Sequence, residues 1–533
     1  MKILALFVLF AIVIPDVNGQ AGQWTWIHGS SAPNPNASWG VQGVPNPSNV
    51  PPALYEACEW TGLDGSFWLY GGVGNPGTYA ALWKYNPATN IWTWMKGPNT
   101  VNDTGYFGVR GQANSFNHPP SLGWGAPTWV DNDGNLWIYG GAIGGGTSYS
   151  ALWKYEISTN QWTWMQGPNT VMQPEVYGIQ GIPDSLNSPG IRTETSAAWT
   201  DDNGDFWLFG GEIHDDMWRY NIASNMWTWM KGSNGIGQPG VYGILGVEDS
   251  ANSPGGHNAY AHWKDDSGNL WFFGGLHSQF NTMNDLWRFN PITNNWTWMG
   301  GSNTSNAIGN CGTMCIGSSA NIPRARVENR ACWKDPCGNF YFFGGFQDFG
   351  GYWSRNDLWM YNPGLNQWMW ISGDSAADAH GNWGTLGVPS PLNKPNSKYG
   401  SVGWTDNHGN LYLFGGMYSP SYVNRYNDLW KYTIDIDCSN CKYPTGIQGA
   451  NELPKNFISN SLTNSILTIE KVNFVIREIE IYNMLGKKCL SQSPSTSHEI
   501  FSASINVSEL SSGIYFIKVK GEDSEYVAKF VKQ

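Results

Sequence analysis

The sequence predicts an all-β protein: a six-bladed β-propeller over residues 20–437, closed by its own N-terminal strand and followed by a small C-terminal β-sandwich. Three observations predict it. Six Gly-Gly pairs, beginning at Gly71, Gly140, Gly210, Gly274, Gly344 and Gly415, each follow an aromatic or aliphatic run and stand six residues beyond a turn glycine (Gly65, Gly134, Gly204, Gly268, Gly338 and Gly409). A Leu/Met-Trp step recurs with them at Leu82, Leu152, Met217, Leu286, Leu358 and Leu429, and self-similarity at a long, fixed period marks an array or a propeller. Third, the chain opens on Trp24-Thr25-Trp26, the kind of motif that ends each of the first five repeats, whereas the sixth stops after Leu429-Trp430-Lys431-Tyr432 without one. The two ends complete each other, and pairing them removes the open edges of a linear array.

In chain order, residues 1–19 join Lys2 to an apolar stretch, Ile3 to Pro15, and to small or polar residues at Val17-Asn18-Gly19. This reads as a secretory signal peptide, too short for a membrane span. Each repeat then reads as four strands. Strand a carries a tryptophan five residues before the turn glycine: Trp60, Trp129, Trp199, Trp263, Trp333 and Trp404. Turns such as Asp133-Gly134 and Asn203-Gly204 place glycine where φ > 0 is required and lead into strand b, which ends at the Gly-Gly pair. Strand c holds Trp83, Trp153, Trp218, Trp287, Trp359 and Trp430, and a short turn such as Asn86 to Asn90 leads to the Trp-x-Trp of strand d, whose aromatics have the period of a strand. Four antiparallel strands repeated radially are the composition of propeller blades.

The connections from strand d to the next strand a share a pattern, aromatic-Gly-apolar-x-Gly. It runs from Trp39 to Gly43, Phe107 to Gly111, Tyr177 to Gly181, Tyr242 to Gly246 and, with Thr385 in the apolar place, Trp383 to Gly387. The connection into the fifth repeat carries Cys311 and Cys315 instead. Because strands a and b run in opposite directions, the d-to-a and b-to-c connections share one face and the tight turns share the other. The variable sequence therefore gathers on one rim, and loops on a rigid scaffold are where binding residues concentrate.

Aromatic strand, Gly-Gly, variable loop, Asn-Asp-Leu-Trp (Asn284 to Trp287, Asn356 to Trp359, Asn427 to Trp430) and tight turn together resemble the kelch repeat. The resemblance covers roughly residues 21–437 and implies a β-propeller. These repeats run near 70 residues, against about 50 for kelch, and the excess lies between strands d and a. A linker, residues 438–453, leads to residues 454–533, where the tryptophan pattern stops. Strands there read as Ile466 to Glu470, Ile476 to Tyr482, Ser504 to Val507, Ile514 to Lys518 and Tyr526 to Val531. The runs Tyr482-Asn483-Met484-Leu485-Gly486-Lys487, Leu510-Ser511-Ser512-Gly513-Ile514-Tyr515 and Lys529-Phe530-Val531 resemble the C-terminal sorting domain of the type IX secretion system of Bacteroidetes. Pro454-Lys455-Asn456-Phe457 stands where that family usually starts with Asn-Pro. The resemblance implies handling by the type IX secretion machinery and release or anchoring at the outer cell surface. The competing reading is an ordinary accessory sandwich.

A net charge of −12 and a pI near 5.2 argue against nucleic acid, which needs a concentrated basic surface. No further apolar stretch is long enough to cross a bilayer, so the expectation is an exported protein that is not integral to a membrane. All but four of the 32 tryptophans fall at repeat positions, where burial contributes up to about 5 kcal/mol each. They read as core rather than as sugar platforms. The four are Trp39 and Trp383 in the connection pattern, Trp124 near a strand a, and Trp353 in a long b-to-c loop. Trp124 and Trp353 are the ligand-binding candidates, with extra packing as the alternative for Trp124.

Arg192 with Glu194, and Arg326 with Glu328, occupy matching places at the start of strand a, facing the channel mouth. They read either as contacts to an acidic or hydroxylated ligand or as salt bridges between blades. His214 and His277 follow Gly-Gly pairs in adjacent repeats and His257 opens the strand a between them, the one candidate metal cluster. Copper-radical sugar oxidases also use a kelch propeller, but no Cys and Tyr pair here matches theirs, and no cofactor is implied. Eight cysteines in an exported chain make disulfides the expectation, as local bridges: Cys311 with Cys315, Cys332 with Cys337, Cys438 with Cys441. The reading as a whole is a secreted or cell-surface binding protein, non-enzymatic and without catalytic residues, whose loop face takes an extracellular glycan or protein. The alternative is a carbohydrate-active enzyme, an oxidase or hydrolase, at the same face.

Overall fold

The computed structural model describes residues 22–439 apart from 145, 194–195, 259–260, 279–280, 348–352 and 419–422, and, towards the C-terminus, residues 451–452, 462–463, 465–469, 476–483, 488–492, 503–511, 513–520 and 525–532. The expected signal peptide and most of the linker lie outside the described residues. The protein is all-β, with one helical turn among the described residues, Ile436–Ser439. It divides into two compact units, residues 1–439 and 440–533.

The first unit holds six antiparallel sheets in the predicted a-b-c-d order. The first is Cys58–Thr61, Phe67–Tyr70, Leu82–Asn86 and Ile91–Lys96. The fourth gains a fifth strand, Glu248–Asp249, paired with Thr297 and Trp296 of its strand d. The sixth takes its strand d from the other end of the chain: Gln23–His28 pairs with Leu429–Thr433, Trp24 facing Tyr432 and Trp26 facing Trp430. The predicted pairing of the two ends is therefore present.

The b strands explain the continuous apolar runs. Phe67–Tyr70, Leu136–Tyr139, Phe206–Phe209, Phe340–Phe343 and Leu411–Phe414 are buried at every position, so both faces of each strand are covered. From the second repeat onward the a-to-b turns are held by an aspartate. Asp201 accepts the backbone N–H groups of Asn203 and Asp205 at 2.9 and 3.0 Å and the indole N–H of Trp207 at 2.9 Å; Asp131 and Asp265 do the same for Trp137 and Trp271. Gly204 turns the chain at φ +87°, a conformation that costs glycine nothing.

Successive sheets are joined by the tryptophan of strand a. Its indole N–H donates to a carbonyl of the next sheet, on strand b for Trp60 to Trp137, Trp129 to Trp207, Trp263 to Tyr341 and Trp333 to Tyr412, and on strand a for Trp199 to Trp263, at 2.9–3.2 Å. Sheet six meets sheet one through Phe67, which stacks on Trp404 at 5.3 Å.

In the second unit, Glu525–Lys532, Gly513–Lys520, Glu478–Asn483 and Lys488–Gln492 form the body of one sheet, and Ile466–Ile469 pairs with Ala503–Asn506 in another. Both sheets feed one apolar cluster that includes Leu467, Ile481, Ile505, Ile517 and Phe530. The pattern misses the short strands Asn451–Glu452 and Leu462–Thr463 and the strand Lys488–Gln492, the last because Lys-Cys-Leu-Ser-Gln does not alternate.

The local disulfides are a correction. Cys315 bonds Cys438, 123 residues away, while Cys311 and Cys332 are free thiols. Cys337 is also disulfide-bonded, and Cys441 lies outside the described residues. Cys315 sits on the outer strand of sheet five, its N–H donating to the Trp370 carbonyl at 2.9 Å, and the helical turn carrying Cys438 packs on Met369 of that strand. Cys332 instead donates its thiol to the His262 carbonyl at 3.4 Å, and the desolvation there pushes the thiol up to about 12.

Candidate functional site

The d-to-a connections are built structures, not slack loops. The second glycine of the pattern donates its N–H to the carbonyl of the second tryptophan of strand d in the sheet its connection enters: Gly43 to Trp94, Gly111 to Trp164, Gly181 to Trp229, Gly246 to Trp298 and Gly387 to Trp26, at 2.7–2.8 Å. Cys315 makes the same bond with φ +61°, so the fifth connection keeps the backbone path despite its different sequence. The first glycine, φ +59 to +62°, passes over an asparagine: Asn49, Asn117, Asn187, Asn252, Asn321 or Asn393. Each of these amides donates both to its own connection and to the first tryptophan of strand d, as Asn117 does to Gln112 and Trp162 at 3.0 and 3.1 Å. Sequence reading missed the clamp, although an asparagine nine residues after the first glycine recurs in all six connections. The aromatic at the head of the pattern packs on the same strand, Trp39 on Trp94 and Trp383 on Trp26 at 5.1 and 5.2 Å. Each outer strand thereby has its edge covered.

Arg192 and Arg326 do not face solvent. Both lie at the entry to strand a, at the residue whose carbonyl accepts from the second glycine of the preceding Gly-Gly pair; the six residues at this place are Leu54, Leu122, Arg192, His257, Arg326 and Lys398. Arg192 meets Asp216 at 2.5 Å, His257 meets Asp285 at 3.5 Å, Arg326 meets both Asp357 oxygens at 2.6 and 2.8 Å, and Lys398 meets Asp428. Where the entry residue is Leu54 or Leu122, the acid is replaced by Ala81 or Ala151. The four aspartates also accept the indole N–H of Trp218, Trp287, Trp359 and Trp430 at 2.7–2.8 Å, whereas the buried Trp83 and Trp153 indoles have no acceptor. Burial raises the Asp357 carboxyl, but the Arg326 charge and its hydrogen bonds outweigh this and hold it below the usual range. The Lys398 pair differs: burial lowers the ammonium and raises the Asp428 carboxyl.

Glu328 and Trp124 come together through a residue that sequence reading overlooked. The Tyr55 hydroxyl donates to Glu328 at 2.5 Å, and its ring lies edge-on to Trp124 at 6.1 Å and to Tyr399 at 5.7 Å. Trp124 is half-buried, at φ +61°, a conformation a bulky residue adopts only when its surroundings impose it. Trp353 is 39% exposed, the one tryptophan among the described residues to count as exposed, on a short hairpin with Phe346–Gln347. Glu194 lies outside the described residues.

The three histidines lie near one another in part. His257 and His277 have ring centroids 5.4 Å apart, and His277 contacts the Gly256 carbonyl at 2.7 Å. His214 contacts Glu175 at 3.2 Å, and this hydrogen bond, aided by Arg192, lowers the Glu175 carboxyl to about 2 against the cost of burial. Among the described residues, no three His, Cys, Asp or Glu side chains are grouped as metal ligands.

Residues 463–533 match the family model of the secretion system C-terminal sorting domain. The tail directs the chain to the type IX secretion machinery, and the protein is secreted or attached to the outer cell surface. Over 219 residues, 40% of this chain, the sequence is 25% identical to Multiple epidermal growth factor-like domains protein 8 of Homo sapiens and 24% identical to that of Rattus norvegicus. The chain spans about 6% of the length of these relatives, so the likeness concerns one segment of a far longer protein. No helix among the described residues is long and apolar enough to cross a membrane.

Proposed function

We propose that the protein is a binding protein of the cell exterior, its six sheets the blades of a kelch-like β-propeller over residues 20–437 and its residues 454–533 a sorting β-sandwich. On this reading the loop face takes an extracellular glycan or another surface protein, and the molecule is not an enzyme. The observation that carries the reading is where polarity is spent: Arg192, His257, Arg326 and Lys398 are paired with buried aspartates, while Trp353 and the connection segments stand in solvent. Charges buried against a carboxylate of their own repeat are not offered to a ligand, whereas fixed, exposed loops suit recognition. Closure of the ring is supported by the backbone bond from Gly416 to the Leu54 carbonyl, the sixth in the series that begins with Gly72 and Leu122. The test is to screen the purified exported protein on a glycan array and against extracts of surface proteins, with turnover and metal assays in parallel. Retention of a ligand without turnover is the expected result; turnover of a sugar, or bound metal, defeats the reading.

A further inference from the structure

We propose that a neutral saccharide binds in a cleft of the first repeat, between the connection that enters it and its b-to-c loop. The inference rests on the glycan branch of the proposed function and names its site and ligand class. The cleft has a volume of about 150 Å³ and is lined chiefly by Trp39, Tyr79, Asn34, Asn36 and Asn75, with prolines and alanines between them. That is below the 300–1,000 Å³ of sites for drug-sized ligands and suits a single sugar ring.

Its chemistry selects the ligand. No lining residue is charged, and the chain as a whole carries −12, so an anionic sugar gains no partner and meets a repelling field. Two rings and several amides converge on a small space. Trp39 and Tyr79 lie 6.0 Å apart, centroid to centroid, and both remain partly exposed. An aromatic surface matches the C–H face of a pyranose, and a carboxamide, donor and acceptor at once, matches a hydroxyl that is both. The walls are held in place independently of any ligand. Asn34 exchanges backbone and side-chain bonds with Arg425, at 2.7 Å through its N–H and 3.1 Å through its amide oxygen, and Trp39 packs on Trp83 and Trp94, both at 5.1 Å.

In the third and fourth repeats the equivalent place is already occupied. The tyrosines that replace Trp39 in the third and fourth repeats, Tyr177 and Tyr242, give their hydroxyls to Asp216 and Asp285 at 2.9 and 2.8 Å. In the first repeat the acid is absent, Ala81 standing in its place, and among the described residues neither the Trp39 indole N–H nor the Tyr79 hydroxyl is hydrogen-bonded. The first repeat thus keeps an aromatic pair with its polar tips uncommitted.

The experiment uses the exported protein and two variants that spare the packing of Trp39: Tyr79→Phe, and Asn36→Ala combined with Asn75→Ala. Wild type and variants are titrated by calorimetry with neutral and with uronic-acid oligosaccharides chosen from a glycan array, and their melting temperatures are compared. The expected result is binding of a neutral oligosaccharide that each variant weakens at least tenfold at an unchanged melting temperature. Neutral binding untouched by both variants overturns the site while leaving the protein a glycan binder. Binding of acidic sugars alone overturns the ligand class. Failure to bind any glycan, or capture of a protein only, overturns this inference together with the glycan branch on which it rests.

Discussion

At the scale of single residues, the chain contains its own comparison. Three repeats carry a buried cation and aspartate, a fourth carries His257 beside Asp285, and two carry leucine and alanine at the same places. Removing one member of a buried pair strands the other charge, which costs about 3–5 kcal/mol, whereas replacing both with apolar groups is often neutral. Lys398→Met is therefore expected to lower stability by that amount, and Lys398→Leu with Asp428→Ala, which copies the first two repeats, to lower it by less than the single change; urea denaturation of the three proteins checks the order. Losing the acceptor for the Trp430 indole is tolerable in that variant, since Trp83 and Trp153 already lack one. A second prediction concerns acid. The Glu175 carboxyl is lowered from an ordinary 4.5 to about 2 by its hydrogen bond with His214, so the folded state binds this proton less readily than the unfolded chain. The stabilisation is full above pH 4.5 and is lost as pH falls towards 2, by at most about 3 kcal/mol. The stability difference between wild type and Glu175→Gln, measured from pH 6 down to pH 2.5, is expected to shrink across that interval; a constant difference counts against the assignment. The arginines illustrate why site and scaffold are hard to separate in sequence: a charge at a strand entry looks alike whether its partner is a ligand or an aspartate some 24–31 residues away.

At the scale of elements, the connections matter more than their length suggests. Asn117 satisfies two carbonyls at once, on its own connection and on strand d. Asn117→Ala leaves both without a donor and is expected to cost about 1–3 kcal/mol, together with faster proteolysis between residues 105 and 120; an unaltered digestion pattern removes the clamp from the account. Gly108→Ala is expected to act the same way, because its Cβ lies 2.3 Å from the Asn117 amide oxygen at a φ of +62°. The four main strands and the tight turn of every repeat were legible in sequence, since alternation, Gly-Gly and the turn glycine are local consequences of pleat and φ. The clamp was equally regular but was not read, because its partner lies some 45 residues away on strand d. The disulfide was misread for a related reason: nearness along the chain stood in for nearness in space, and Cys315 and Cys438 have Cα atoms 4.9 Å apart across 123 residues.

At the scale of the whole molecule, the join between the first strand and the last repeat is the point on which the fold rests. Deleting residues 23–28 removes the outer strand of sheet six and the burial of Trp24, 1% exposed in the native state, a burial that by area contributes up to about 5 kcal/mol. The truncated protein is expected to unfold at distinctly lower denaturant, and an unchanged midpoint would show that the join contributes nothing. By itself the amino-acid sequence determined the all-β character, the six repeats, the pairing of the two chain ends and the export tail, because each is written in period, composition or a contiguous motif. Only the tertiary structure decided which polar residues are structural and which are open to a ligand. Burial and pairing depend on side chains brought together from different strands, and no spacing along one strand records whether an arginine finds its aspartate or a tyrosine keeps its hydroxyl free.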